Sequence, residues 1–128
     1  MAPPMIDIGD MIYYISKLKL HKAAGIDDIV NEHVIFGGNH LIVHLCLLFN
    51  CMLRHAYVPE SFCHGIIVPL LKSKQIDMYR GITLSPVLSK LYESVLLGMY
   101  ETFLDSDSFQ FGFKRNSSCN HALFTLHE

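Results

Sequence analysis

Gly65-Ile-Ile-Val-Pro-Leu-Leu-Lys-Ser-Lys-Gln-Ile-Asp-Met-Tyr-Arg-Gly-Ile-Thr-Leu84 decides whether this chain is all-helical or mixed. Its first seven residues form a short apolar run around the β-branched Ile66, Ile67 and Val68, which is strand composition. Pro69 cannot donate to a ladder, so it belongs at an edge or near a strand end. Lys72-Ser-Lys-Gln75 is a polar turn, and Tyr79-Arg-Gly-Ile-Thr-Leu84 resumes extended character. Two such runs around a polar turn predict a β-hairpin with basic residues at its tip.

Helical patterns lie on both sides. Upstream, Asp10 is placed to cap a first helix, with Ile12, Ile15 and Leu18 at helical spacing. Lys22-Ala-Ala-Gly-Ile-Asp-Asp28 breaks it, with Gly25 as turn residue. A short helix is expected over about residues 29–36, stopped by Gly37-Gly38-Asn39. The next is the clearest: Leu41, Leu45, Leu48, Phe49, Met52, Leu53 and Ala56 repeat with helical period until Val58-Pro59. Downstream, Ser85-Pro86 starts a helix with Ser as cap and Pro at the first position. Leu88, Leu91, Tyr92, Val95, Met99 and Phe103 form its stripe. After a polar loop at residues 105–108 and an irregular stretch at 109–115, Ser117 or Ser118 caps a last helix. Apart from the short piece at 29–36, the order is helix, helix, hairpin, helix, loop, helix, so the fold class is α+β, mostly helical with one short β-hairpin.

A length of 128 residues fits one domain with a modest core. The apolar fraction of 51% and mean hydropathy of +0.30 exclude a disordered chain. They are high for a free-standing domain and fit a piece of a larger protein. Net charge is −2, so no general basic excess attracts nucleic acid. Phosphate contacts would have to come from local clusters: Lys17, Lys19 and Lys22; Lys72, Lys74 and Arg80; Lys114 and Arg115. A solvated surface is the plainer reading of each. The start of the chain has neither the basic nor the apolar region of a secretory signal. No stretch approaches the roughly 18–20 apolar residues of a membrane span. An intracellular protein with reduced, buried thiols at Cys46, Cys51, Cys63 and Cys119 is expected.

Other chemistry-bearing groups have structural explanations. Asp27-Asp28 lacks a third ligand for a divalent metal and suits a turn and a cap. His40 and His44 share a helix face as zinc ligands do, but no Glu base lies between them. No nucleophile elbow or phosphate loop is present. The hairpin tip is the strongest candidate, because Lys72 and Arg80 on a hairpin could close over a polyphosphate through charge-assisted bonds.

Read together, the segments resemble the reverse transcriptase of non-LTR (LINE-type) retrotransposons. Lys22-Ala-Ala-Gly-Ile-Asp-Asp-Ile29 resembles that family's K-x-P-G-x-D-G-I. Leu48-Phe49-Asn50 and Val58-Pro59-Glu60-Ser61-Phe62 resemble its L-F-N … G-x-V-P-x-x-W. Ile66-Ile-Val-Pro-Leu-Leu-Lys72 resembles I-x-P-I-x-K. Tyr79-Arg-Gly-Ile-Thr-Leu84, with Ser89, Lys90 and Glu93, resembles N-Y-R-P/G-I-S/T-L … S-K-x-x-E. Gln110-Phe-Gly-Phe-Lys114 resembles Q-F-G-F-R. Five motifs fall in the family's order between Lys22 and Glu128.

The resemblance implies the fingers part of a right-hand polymerase at residues 22–128, preceded by a helical extension at 1–21. It places Lys72 and Arg80 on the triphosphate of the incoming nucleotide, and Gly112, Phe113 and Lys114 beside the template. It implies a template-primer and deoxynucleotides as partners, and Mg²⁺ in the full-length family. That metal would be held by palm carboxylates; no catalytic or metal-binding residue is assigned within this chain. The departures are Ala24 for Pro, Asp28 for Gly, Phe62 for Trp, Lys114 for Arg, and a short loop between Lys72 and Tyr79. The expectation is a truncated RNA-directed DNA polymerase fragment, inactive alone, its palm missing or supplied by a separate chain. The alternative is a small helical protein-interaction module derived from a mobile element, without nucleic-acid function.

Overall fold

The computed structural model of the chain describes residues 4–71, 79–104, 107–112, 114 and 116–127, with the backbone alone for 126 and 127. Asp7 opens α1 (Ile8–Ser16). Its carboxylate accepts from Asp10 N at 2.7 Å, and the Asp10 carboxylate accepts from Asp7 N at 3.2 Å. This reciprocal box starts the helix earlier than the expected Asp10 cap and puts Asp10 on its third position. α2 (Asn31–Ile35) follows a turn in which Asp28 N donates to Gly25 O.

α3 (Gly38–His55) begins inside the expected break. Gly38 takes a left-handed φ of 78° and already belongs to the helix. Its end is Ala56, at φ 48° and ψ 42°, which returns its N–H to Leu53 O at 3.3 Å. A 3-10 turn (Glu60–Cys63) leads into β1 (Ile66–Leu71), which pairs antiparallel with β2 (Tyr79–Leu84). In α4 (Val87–Tyr100) the first backbone bond runs from Lys90 N to Pro86 O, so Pro86 stands at the cap rather than at the first helical position. α5 (Cys119–His127) starts directly after Ser118, one of the two expected cap residues; its carbonyl accepts from His121 N at 3.0 Å, and its hydroxyl lies 3.3 Å from His121 Nδ1. Among the described residues the fold is α+β, with five helices and one two-stranded sheet.

The chain divides into two compact units, Met1–Gly98 and Met99–Glu128. In the first, Met11 and Ile15 of α1, Leu45, Phe49 and Met52 of α3, and Val87, Leu91 and Val95 of α4 are buried. Phe49 is closed off completely and meets the Tyr92 ring at 5.0 Å between centroids, a tilted pair that adds to the burial of the rings themselves. Leu48, expected inward, is exposed; Cys46 takes the inward place beside Leu45. Phe103, expected to extend the α4 stripe, follows the end of that helix and is 82% exposed.

Two long-range ties fix this unit. Asn50 Oδ1 accepts from Ile6 N at 2.9 Å, and Asn50 Nδ2 donates to Ile6 O at 2.8 Å. One side chain on α3 thus satisfies both backbone groups of a buried residue ahead of α1. Gly25 is buried against the start of α4. A Cβ there would lie 2.9 Å from Pro86 N and 3.0 Å from the Ser85 carbonyl carbon, so only glycine permits this approach without a backbone shift.

Candidate nucleic-acid interface

The hairpin is built as the sequence predicts. Its register pairs Leu70 with Arg80 and Leu71 with Tyr79. Because side chains alternate along a strand, Arg80 shares a face with Val68, Leu70, Ile82 and Leu84. Val68 and Leu84, at the base of that face, are half-buried, while Arg80 itself is exposed. The other face carries Ile67, Pro69, Leu71, Tyr79, Gly81 and Thr83 and is open along its length, with Ile67 71% exposed. Lys72, the other expected nucleotide-binding residue, lies outside the described residues, as does Lys74.

The expected template segment lies in the second unit and closes on itself. Asp107 Oδ1 accepts from Phe109 N at 2.9 Å, and Gln110 N donates to Asp107 O at 3.0 Å, which makes a tight turn. Lys114 Nζ donates to the same Asp107 carbonyl at 3.1 Å, and Gln110 Nε2 donates to Gly112 O at 3.2 Å. Gly112 is exposed, with no heavy atom within 4 Å of where a Cβ would stand. Phe113 and Arg115 lie outside the described residues.

The other candidates have structural duties. Asp27 Oδ1 accepts from Ile29 N at 3.1 Å, a turn-making role, and Asp28 occupies the left-handed region at φ 57°. The Nδ1–H of His44 donates to His40 O at 2.6 Å within one helical turn. His33 accepts from Val30 N and His121 from Ser118 N, each at 3.1 Å, so two histidines complete helix starts. Among the described residues no three His, Cys, Asp or Glu side chains gather as a metal site would require.

The thiols differ from the expectation of four buried groups. Only Cys46 is buried; Cys51, Cys63 and Cys119 are exposed. Burial, with the nearby Asp7 carboxylate, pushes the Cys46 thiol pKa up, and its Sγ donates to Ile6 O at 3.3 Å. A cleft of about 380 Å³ lies beside α3, lined by Pro4, Met5, Leu47, Cys51 and Arg54 among others; none of the sequence-predicted site residues lines it. No described helix is long and apolar enough to cross a membrane.

Sequence reasoning missed the loop between α1 and α2. His21 N donates to Glu32 Oε1 at 2.5 Å, and Asn31 Nδ2 donates to Lys19 O at 2.7 Å. The His21 N–H holds the Glu32 carboxyl below the usual glutamate range, helped by His21 and His33 charge. Asn31 is 8% exposed, which is deep for an amide and explained by its bond to the loop. The available signal was an Asn-Glu pair opening α2 below a loop rich in lysine.

Comparison with known proteins supplies the rest. No family model matches the chain. It is 34% identical over 108 residues to the RNA-directed DNA polymerase from mobile element jockey of Drosophila funebris, a match covering 78% of this chain and 12% of that protein. The jockey polymerase of Drosophila melanogaster is 32% identical over 108 residues, again 78% of this chain and 12% of the relative. A 115 kDa protein in the type-1 retrotransposable element R1DM of Drosophila melanogaster is 28% identical over 120 residues, 89% of this chain and 12% of that protein. The resemblance read from the motifs therefore holds over most of the chain, which spans about 12% of the length of these curated relatives.

Proposed function

We propose that this relative of mobile-element RNA-directed DNA polymerases is the fingers part of a non-LTR reverse transcriptase. Residues 22–128 form the partial polymerase domain and residues 1–21 its helical extension. In the longer protein the hairpin meets the incoming deoxynucleotide, with Lys72 and Arg80 on the triphosphate. Gly112, Phe113 and Lys114 lie against the template. The observation that carries this reading is the hairpin itself. β1 stops at Leu71, the residue before Lys72, and its neighbour Leu70 is paired with Arg80. An exposed guanidinium on such a projection can make paired, charge-assisted bonds to phosphate oxygens. Fixed cations of this kind stabilise charge that develops during phosphoryl transfer.

Polymerisation further needs two metal ions clamped by carboxylates. The described residues offer no such cluster, so no step through Mg²⁺ is assigned to this chain. The sequence contains no Tyr-x-Asp-Asp, and the isolated chain does not synthesise DNA under this reading. The acidic balance favours the rival, a protein-interaction module without nucleic-acid function.

The two readings separate on one measurement. Fluorescence anisotropy with a labelled single-stranded RNA is followed from 50 to 300 mM KCl. The fingers reading expects binding at the low-salt end that weakens steeply with salt, and no nucleotide incorporation on a primed template. Absence of RNA binding at 50 mM KCl, with salt-independent self-association instead, overturns it in favour of the rival.

A further inference from the structure

Outside the hairpin, the loop at residues 17–22 is the most concentrated basic feature of the described structure. It holds Lys17, Lys19 and Lys22, with His21, in six residues of a chain whose net charge is −2. Its backbone is fixed from below by α2. The Asn31 amide holds the Lys19 carbonyl, and the Glu32 carboxylate holds the His21 N–H, with His21 at φ 56°. The Glu32 carboxylate thus serves the loop backbone and faces the His21 imidazole, whose Nδ1 lies 3.8 Å from Oε1, so among the described residues the lysines are the loop's free cations. Among the described residues, no lysine of the loop is ion-paired with a carboxylate.

Beside the loop stands an exposed aromatic ring. Tyr13 is half-exposed on α1; Lys17 Nζ lies over one face of its ring, 5.0 Å from the centroid, and the Tyr14 ring stands perpendicular to it at 5.1 Å, so a base would stack on the part of the ring these leave open. Cations that track a backbone, interleaved with an aromatic face on which a base can stack, are what single-stranded nucleic acid requires. Holding the loop in advance lowers the ordering cost of binding.

The geometry points to a second nucleic-acid contact. Tyr13, Lys17, Lys19 and Lys22 form a platform for single-stranded RNA or DNA, the lysines on phosphates and the tyrosine under a base. This rests on the reverse-transcriptase reading above but uses none of the residues that reading assigns to nucleotide or template.

The test uses the full chain and a labelled oligouridine, with the salt dependence of binding as readout. Each phosphate contact on a single strand contributes about −0.7 to the slope of log K against log salt. The triple variant Lys17→Gln, Lys19→Gln, Lys22→Gln is expected to flatten the slope by about 2. Tyr13→Ser is expected to weaken binding several-fold at an unchanged slope, because a stacked base releases no counterions. Arg54→Gln with Lys90→Gln serves as the charge control, and circular dichroism melts establish that each variant folds. A triple variant that folds and keeps the parent slope overturns the platform while leaving the fingers reading standing. A control that flattens the slope as much as the triple variant also overturns it, since binding would then be diffuse. Failure of the unaltered chain to bind RNA at 50 mM KCl removes both readings.

Discussion

The helices of the first unit and the hairpin between α3 and α4 are built on opposite principles. α1, α3 and α4 bury apolar side chains against one another, with Phe49, Met11, Leu91 and Val95 sealed from solvent. The hairpin is as apolar in composition, yet Ile67 and Leu71 on β1 and Tyr79 on β2 are largely exposed. Two strands alone make a marginal sheet, so the hairpin draws little stability from its own burial. Stability and the proposed nucleotide contact are therefore carried by different residues. Substitutions in the helices should act on folding, and substitutions on the open hairpin face should leave it almost untouched.

The largest effect is expected at Phe49. Phe49→Ala removes a fully buried ring together with its contact to the Tyr92 ring, and should cost about 3–5 kcal/mol in urea unfolding. That is a large part of the stability of a domain this size. A loss below about 1 kcal/mol would mean that the helices are not held by this core, and the contrast with the hairpin would dissolve.

Phe49, the hairpin strands and the α4 stripe through Val95 were legible in the sequence because each is a local periodic signal. What the sequence hid was tertiary. Asn50 looks like an ordinary polar residue near the end of a helix, yet it grips Ile6, 44 positions away. Gly37-Gly38 reads as a stop, but Gly38 begins α3 in a conformation that glycine adopts freely. Leu48 and Phe103 obey the helical period and are still exposed, since period alone does not say which stripe meets a neighbour or where the helix ends. Of the candidate site, Arg80 on a hairpin was legible from strand composition and the resemblance. The α1–α2 loop was not, because Asn31 and Glu32 reach it across 12 and 11 positions.

Two departures from the resembled motifs sharpen the comparison on the helical side. The K-x-P-G-x-D-G-I pattern carries glycine where this chain has Asp28, and G-x-V-P carries it where this chain has Ala56. Both residues have left-handed backbones, at φ 57° and 48°. An L-residue pays about 1–2 kcal/mol there, less for Asp than for Ala. Ala56→Gly should therefore stabilise the chain by about 1 kcal/mol and Asp28→Gly by about half that, once glycine's greater entropy loss is counted. Thermal melts of the two single variants and the double measure this. A fall in Tm for both would contradict the backbone account of why glycine occurs at these positions in the pattern.

The smallest effect tests the other half of the contrast. Ile67 stands 71% exposed on the face of β1 that Pro69 and Leu71 share, opposite Thr83. Ile67→Thr keeps the β-branch the strand favours and replaces the two-carbon Cγ1–Cδ1 arm by a hydroxyl on surface that is already wet. Its effect on unfolding should stay within about 0.5 kcal/mol. A loss of about 2 kcal/mol would mean that this face is covered in solution, by a second copy or by another part of the protein. The hairpin would then be as much a packing element as α3, and its exposed strands could no longer be read as free for a nucleotide.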